Sequence, residues 1–222
     1  MSNDKNLSVD ETFNLAVQSH QNNNLQDAQN YYQKVLKIDP NHVSTLYNLG
    51  VIFKDWGEYQ KTKDCYEKVI EINPNFVNAH NNLGVMFKDL GENQKAKDCY
   101  EKAIKIDPNY ANAHNNLGVI FKELGEYQKA ISCYERAIKI DPNYAHTHNN
   151  LGVLYSDLGE YQKAKSYFEK SVTINSNDFE ALGNIADIYV SQLTDFEIAI
   201  SKSNEALKVY HKNSTFIKQT VS

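Results

Sequence analysis

The chain has 222 residues, of which 41% are hydrophobic, enough for a packed core and too many for a disordered tail. Its net charge of -5 and pI near 5.8 give no global positive field to attract phosphate backbones or anionic lipid, so neither nucleic acid nor a membrane is the expected partner. Three cysteines, an odd number, argue against a disulfide framework and for a reducing, cytoplasmic setting, in which the sequons at Asn6 and Asn213 carry no meaning. The first residues, MSNDKNLSVDETF, have neither a basic start nor an apolar run, and no stretch approaches the roughly 18 apolar residues that span a bilayer.

In chain order the sequence is periodic. Pro40, Pro74, Pro108 and Pro142 are spaced by 34 residues, and eight of the nine glycines fall in pairs seven apart on the same spacing. After a flexible N-terminus at 1–8, the units run 9–42, 43–76, 77–110, 111–144, 145–178 and a looser 179–213, which has one extra residue before Leu193; 214–222 form a tail. Within unit 111–144, Ala113, Leu117, Ile120, Phe121 and Leu124 recur at helical spacing, Gly125 interrupts, and Tyr127, Ala130, Ile131, Tyr134, Ala137 and Ile138 trace a second amphipathic stripe. Each unit is therefore a helical hairpin. Gly118 and Ala130 are small where the two helices press together, Gly125 suits the left-handed end of the first helix, and Pro142 ends the second. One hairpin cannot bury its own face, so neighbours must stack.

The segment "NNLGVIFKELGEYQKAISCYERAIKIDP" resembles the tetratricopeptide repeat family at Leu117, Gly118, Phe121, Ala130, Tyr134, Ala137 and Pro142, and the pattern covers residues 9–213. The resemblance implies an all-α, right-handed superhelical solenoid of six hairpins. Its ends depart from the pattern: Ala16 and Asn23 replace glycines in the first unit, Ser176 the proline of the fifth, and Ala186 and Thr194 occur in the sixth. Terminal units are expected to be atypical, since one face meets water instead of a neighbour.

"HNNLGV" occurs three times, from His80, His114 and His148, although asparagine is a mediocre helix former. On a wheel at about 100° per residue, the third, fourth, seventh, eighth, tenth and eleventh residues of a unit share the core arc. Both asparagines, the fifth and sixth, fall opposite, away from the hairpin's own core. The fifth residue varies: Phe13, Tyr47, Asn81, Asn115, Asn149, Gly183. The sixth is Asn14, Asn48, Asn82, Asn116, Asn150 and Asn184 throughout. Stacking would align these six amides along the surface that is concave in the family, beside Val51, Val85, Val119 and Val153 at the ninth position. A primary amide carries donor and acceptor together, so such a row suits the backbone of an extended chain. Two plainer readings stand beside it: a structural tie from one helix to the next repeat, and exposure without a role. On the peptide reading, alanine at Asn82, Asn116 and Asn150 leaves folding intact.

The same repeats look most like those of nucleocytoplasmic O-linked sugar transferases, including the SPINDLY type, in which a lumen lined by asparagines engages substrate chains. No glycosyltransferase domain fits after residue 213, so the sugar chemistry is not carried over with the repeats.

Other constellations are read as packing. His80, His114 and His148 sit on the core arc, with equivalents on the order of 10 Å apart, whereas the ligands of one zinc lie about 2 Å from it. Cys65, Cys99 and Cys133 share a position with Tyr31 and Tyr167 and fill space. Lys54, Lys88 and Lys122 are followed by Asp55, Asp89 and Glu123, a mixed surface and not the lysine and arginine carboxylate clamp of the chaperone-binding subclass. No strand pattern, phosphate loop or Ser, His and Asp set offers catalysis a seat. The expectation is a non-catalytic scaffold for a protein or peptide partner, with no cofactor and no metal. The alternatives are the substrate-recruiting part of an O-linked glycosyltransferase, separated from its catalytic domain, and a self-associating assembly protein.

Overall fold

A computed structural model of the chain describes residues 7–190 and 196–220, with side chains for 7–190 and 197–210. Residues 1–6, within the N-terminus expected to be flexible, and Leu193 and Thr194 lie outside the described residues. Twelve helices and no strand occur among the described residues, and they form the six expected hairpins of an all-α fold. They divide into two compact units, Met1–Pro108 and Asn109–Ser222. The first unit holds α1 (Val9–Gln21), α2 (Leu25–Ile38), α3 (Val43–Asp55), α4 (Tyr59–Ile72), α5 (Val77–Asp89) and α6 (Asn93–Ile106). The second holds α7 (Ala111–Glu123), α8 (Tyr127–Ile140), α9 (Ala145–Asp157), α10 (Tyr161–Ile174), α11 (Phe179–Ile188) and α12 (Phe196–Thr220).

Helix ends follow from local chemistry. At α1 the Ser8 hydroxyl accepts from the Glu11 amide at 3.1 Å, and the Glu11 carboxylate accepts from the Ser8 amide at 2.8 Å, a reciprocal cap. First helices stop at Gly57, Gly91, Gly125 and Gly159, whose φ lies between 72° and 76°. A Cβ there meets nothing within 4 Å, so conformation alone selects glycine. In the first repeat Asn23 takes this role at φ 60°, the left-handed region that asparagine tolerates best among residues with a Cβ.

Second helices end in an extended residue whose side chain caps the turn. Asp39, Asn73 and Asp141 accept from the amides of Asn41, Asn75 and Asn143 at 3.0 to 3.2 Å. Asn175 does the same for Asn177 at 3.1 Å, which is how the fifth repeat turns with Ser176 in place of proline.

Within each hairpin a ring of the second helix lies on a small residue of the first. A Cβ on Gly50, Gly84, Gly118 or Gly152 would sit 2.5 to 2.6 Å from a ring carbon of Tyr66, Tyr100, Tyr134 or Phe168. These four rings are at most 1% exposed, and Tyr32 beneath Ala16 is equally buried. Burying each ring stabilises the stack by about 1.5 to 3 kcal/mol.

Candidate functional site

The first helices of each unit carry the asparagine and valine positions. Val51, Val85, Val119 and Val153 are partly buried, as are Asn48, Asn82, Asn116, Asn150 and Asn184, while Asn14 is exposed. The fifth residues differ from the single-hairpin wheel. Asn81, Asn115 and Asn149 are only 5%, 1% and 4% exposed; Asn115 and Asn149 are met by Asn150 and Asn184 of the adjoining repeat, which is absent from that wheel.

The two asparagines of a pair then have separate tasks. In the second unit Asn150 donates from Nδ2 to Oδ1 of Asn115 at 3.0 Å, and Asn184 donates to Oδ1 of Asn149 at 3.2 Å. In the first unit Asn82 donates to the Tyr47 hydroxyl at 3.0 Å. In each case the sixth residue of one repeat reaches back to the fifth of the repeat before. Asn81 and Asn115 also donate to the Oδ1 of their neighbours Asn82 and Asn116, at 3.2 and 3.3 Å. Asn48 donates to the buried Tyr32 hydroxyl at 3.0 Å, and that bond partly offsets the burial that raises the phenol's pKa. The structural tie that the sequence left open is thus present, and alanine at these positions forfeits it. Each such tie contributes about 0.5 to 1.5 kcal/mol net.

An amide has two N–H donors and two lone pairs on oxygen, so one donated bond does not exhaust it. The Oδ1 atoms of Asn48, Asn150 and Asn184 accept no hydrogen bond among the described residues. Fixed by their ties, the carbonyls of Asn48 and Asn150 lie on the same helices as Val51 and Val153, and that of Asn184 lies on α11 with Asp187.

The histidines and cysteines behave as spacers. His80 and His148 are buried, and each bonds through Nε2 to a carbonyl six residues back, Pro74 or Pro142, at 3.0 Å. Burial pushes the thiols of Cys65 and Cys99 up to about 11 and about 12, so at neutral pH they hold their protons and are poor nucleophiles. Among the described residues no helix is long and apolar enough to cross a membrane.

The comparisons agree with this architecture. Sequence profiles described as tetratricopeptide repeat match residues 10–42, 43–76, 76–143 and 111–177. No curated protein sequence matches significantly. Among solved structures, MamA is 27% identical, with a TM-score of 0.64 over 75% of this chain and 96% of its own. PilF of Pseudomonas aeruginosa is 19% identical, with a TM-score of 0.79 over 91% of each chain. YrrB, described as a tetratricopeptide repeat protein with an unusual peptide-binding site, is 18% identical, with a TM-score of 0.59 over 80% of this chain and 91% of its own. Profiles that together span residues 10–177, on hairpins capped and packed as above, place the chain in the tetratricopeptide repeat family.

Proposed function

We propose that this protein is a non-catalytic scaffold whose first-helix face holds an extended segment of a protein partner. The observation that carries the reading is the asparagine row. Asn48, Asn82, Asn150 and Asn184 are each oriented by a tie to the neighbouring repeat, and Asn48, Asn150 and Asn184 keep a carbonyl for a partner's peptide N–H. Groups held in place before binding lose little entropy when they bind. Val51, Val85, Val119 and Val153 supply apolar contact beside them, up to about 1 kcal/mol each when half covered. Main-chain hydrogen bonds give affinity without reading sequence, as expected for recognition of an extended chain. YrrB, of the same fold, has a peptide-binding site of its own.

The test is a random dodecapeptide library displayed on phage and panned against the full chain, followed by affinity measurement of the selected peptides. Changing Asn48, Asn150 and Asn184 to alanine should weaken binding by about 0.5 to 1.5 kcal/mol per hydrogen bond lost, similarly for peptides of unrelated sequence. The same variant should unfold at lower urea because the ties go as well. Undiminished affinity in the folded triple variant removes the row from the binding site.

A second reading rests on the likeness of the NNLGV repeats to those of O-linked sugar transferases: the same face recruits substrates for such an enzyme. Its test is sugar-nucleotide-dependent transferase activity copurifying with the tagged chain from native extract. If partner proteins copurify and no transferase activity does, this reading falls.

A further inference from the structure

The second unit has a cavity of about 170 Å³ on its first-helix face, lined by Val153, Ser156 and Asp157 of α9, Phe168 of α10, and Asn184, Asp187 and Ile188 of α11. Its floor is apolar: Phe168 and Ile188 are buried and Val153 partly so. Asp157 and Asp187 are both exposed at its edge. Neither α9 nor α11 contains a lysine or an arginine.

The repeat itself gives the measure of this site. In α3, α5 and α7 the corresponding charges cancel, as Lys54 with Asp55, Lys88 with Asp89 and Lys122 with Glu123, and the ninth residue is valine. At the cavity both features change. Ser156 stands where the lysine is, which leaves the charge of Asp157 uncancelled on its helix, and Asp187 stands where the valine is. Two departures from a near-identical repeat line one cavity, and both make it more negative.

We propose that this cavity selects a lysine or arginine side chain of the bound segment, an inference that rests on the reading that the first-helix face holds an extended chain. The aliphatic stem lies on Val153, Phe168 and Ile188, and the cationic head reaches the carboxylates of Asp157 and Asp187, the arrangement long basic side chains adopt where an apolar wall meets an acidic edge. Asn184, tied through Nδ2 to Asn149, turns its Oδ1 to the backbone N–H of the same segment. The amide row holds the main chain without regard to sequence, and this one cavity fixes the register.

The test uses peptides selected from the displayed dodecapeptide library against the full chain, with Asp157→Asn/Asp187→Asn and Asn150→Ala as variants. The isosteric aspartate changes at exposed positions keep the fold, checked by circular dichroism. Selected peptides should share a basic residue at one position relative to an apolar one. They should bind the aspartate variant about tenfold more weakly at low salt, and the difference should shrink by 0.5 M salt as screening sets in. A peptide with glutamine at that position should lose about the same affinity for the unaltered chain and nothing further on the variant. Peptides without a fixed basic residue, or equally tight on the aspartate variant, that still lose affinity for Asn150→Ala overturn the pocket and leave the groove standing. Peptides indifferent to both variants overturn the groove as well.

Discussion

Replacing Gly118 with leucine tests the packing that defines each hairpin. A Cβ at Gly118 would lie 2.6 Å from Cε1 and 2.8 Å from Cδ1 of Tyr134, where ordinary contact begins at 3.4 Å. The ring must therefore retreat by 0.8 Å, from 3.4 minus 2.6, for the first carbon alone. It has little room, because Tyr134 is 0% exposed and Ala130 and Ala137 on the same helix are 0% exposed beside it. Overpacking of this kind costs about 1 to 3 kcal/mol, and the remaining leucine carbons push the value to the top of that range or beyond. The matching control is Gly183 in α11, where a Cβ meets nothing within 4 Å. Gly183→Ala should stabilise by about 0.5 to 1 kcal/mol, since alanine orders a helix at lower entropic cost. Urea unfolding followed by circular dichroism reads both, as midpoints compared with the unaltered chain. Changes of opposite sign are expected, and a Gly118→Leu midpoint equal to that of Lys122→Leu on the open face refutes the close approach of the helices.

Tyr134→Phe should raise stability by about 1 kcal/mol in the same assay, because the Tyr134 hydroxyl is buried with no hydrogen-bond partner among the described residues and Phe168 already fills that position in the next repeat; a loss would show that the hydroxyl is satisfied. Burial raises the pKa of Tyr66 and Tyr134 above the usual value of 10, so their contribution is complete below pH 10 and is lost as pH rises beyond it, when the unfolded chain ionises first. The loss runs at up to about 1.4 kcal/mol per pH unit for each tyrosine, and urea midpoints measured at about pH 9 and about pH 11 check it; equal midpoints rule out the shift. Zinc or a chelator should leave the unfolding midpoint unchanged, because Nε2 of His80 and of His148 is engaged by a proline carbonyl; a stoichiometric ion whose removal lowers the midpoint contradicts this.

The repeat was legible because its marks act locally. A glycine at φ 73° or a residue that caps its own turn imposes the same geometry wherever it occurs, so period and hairpin follow from the spacing of Gly118, Gly125 and Pro142. The turn at Ser176 was less legible. It follows from Asn175, an ordinary polar residue until its side chain is seen accepting from Asn177. The cavity beside Asp157 and Asp187 needs α9 and α11 side by side, although the signal was present in the sequence as two departures from the repeat at Ser156 and Asp187.

The asparagine pair was half legible for a definite reason. A helical wheel places a residue relative to its own hairpin, and in a stacked repeat the decisive partner lies 35 residues away in the neighbouring one. The sixth amide requires an oxygen at the fifth position of the repeat before, and the sequence shows what meets that requirement. Tyr47 meets it for Asn82, Asn115 for Asn150 and Asn149 for Asn184. Where the fifth residue is Phe13, which has no acceptor, Asn48 turns to the Tyr32 hydroxyl of the second helix at 3.0 Å. Asn149 and Asn150 stand side by side because Asn150 completes the contact behind and Asn149 the contact ahead. At Asn48, Asn82, Asn150 and Asn184 the sixth amide has a bond to make to the repeat before, and the fifth can vary because several side chains supply the oxygen.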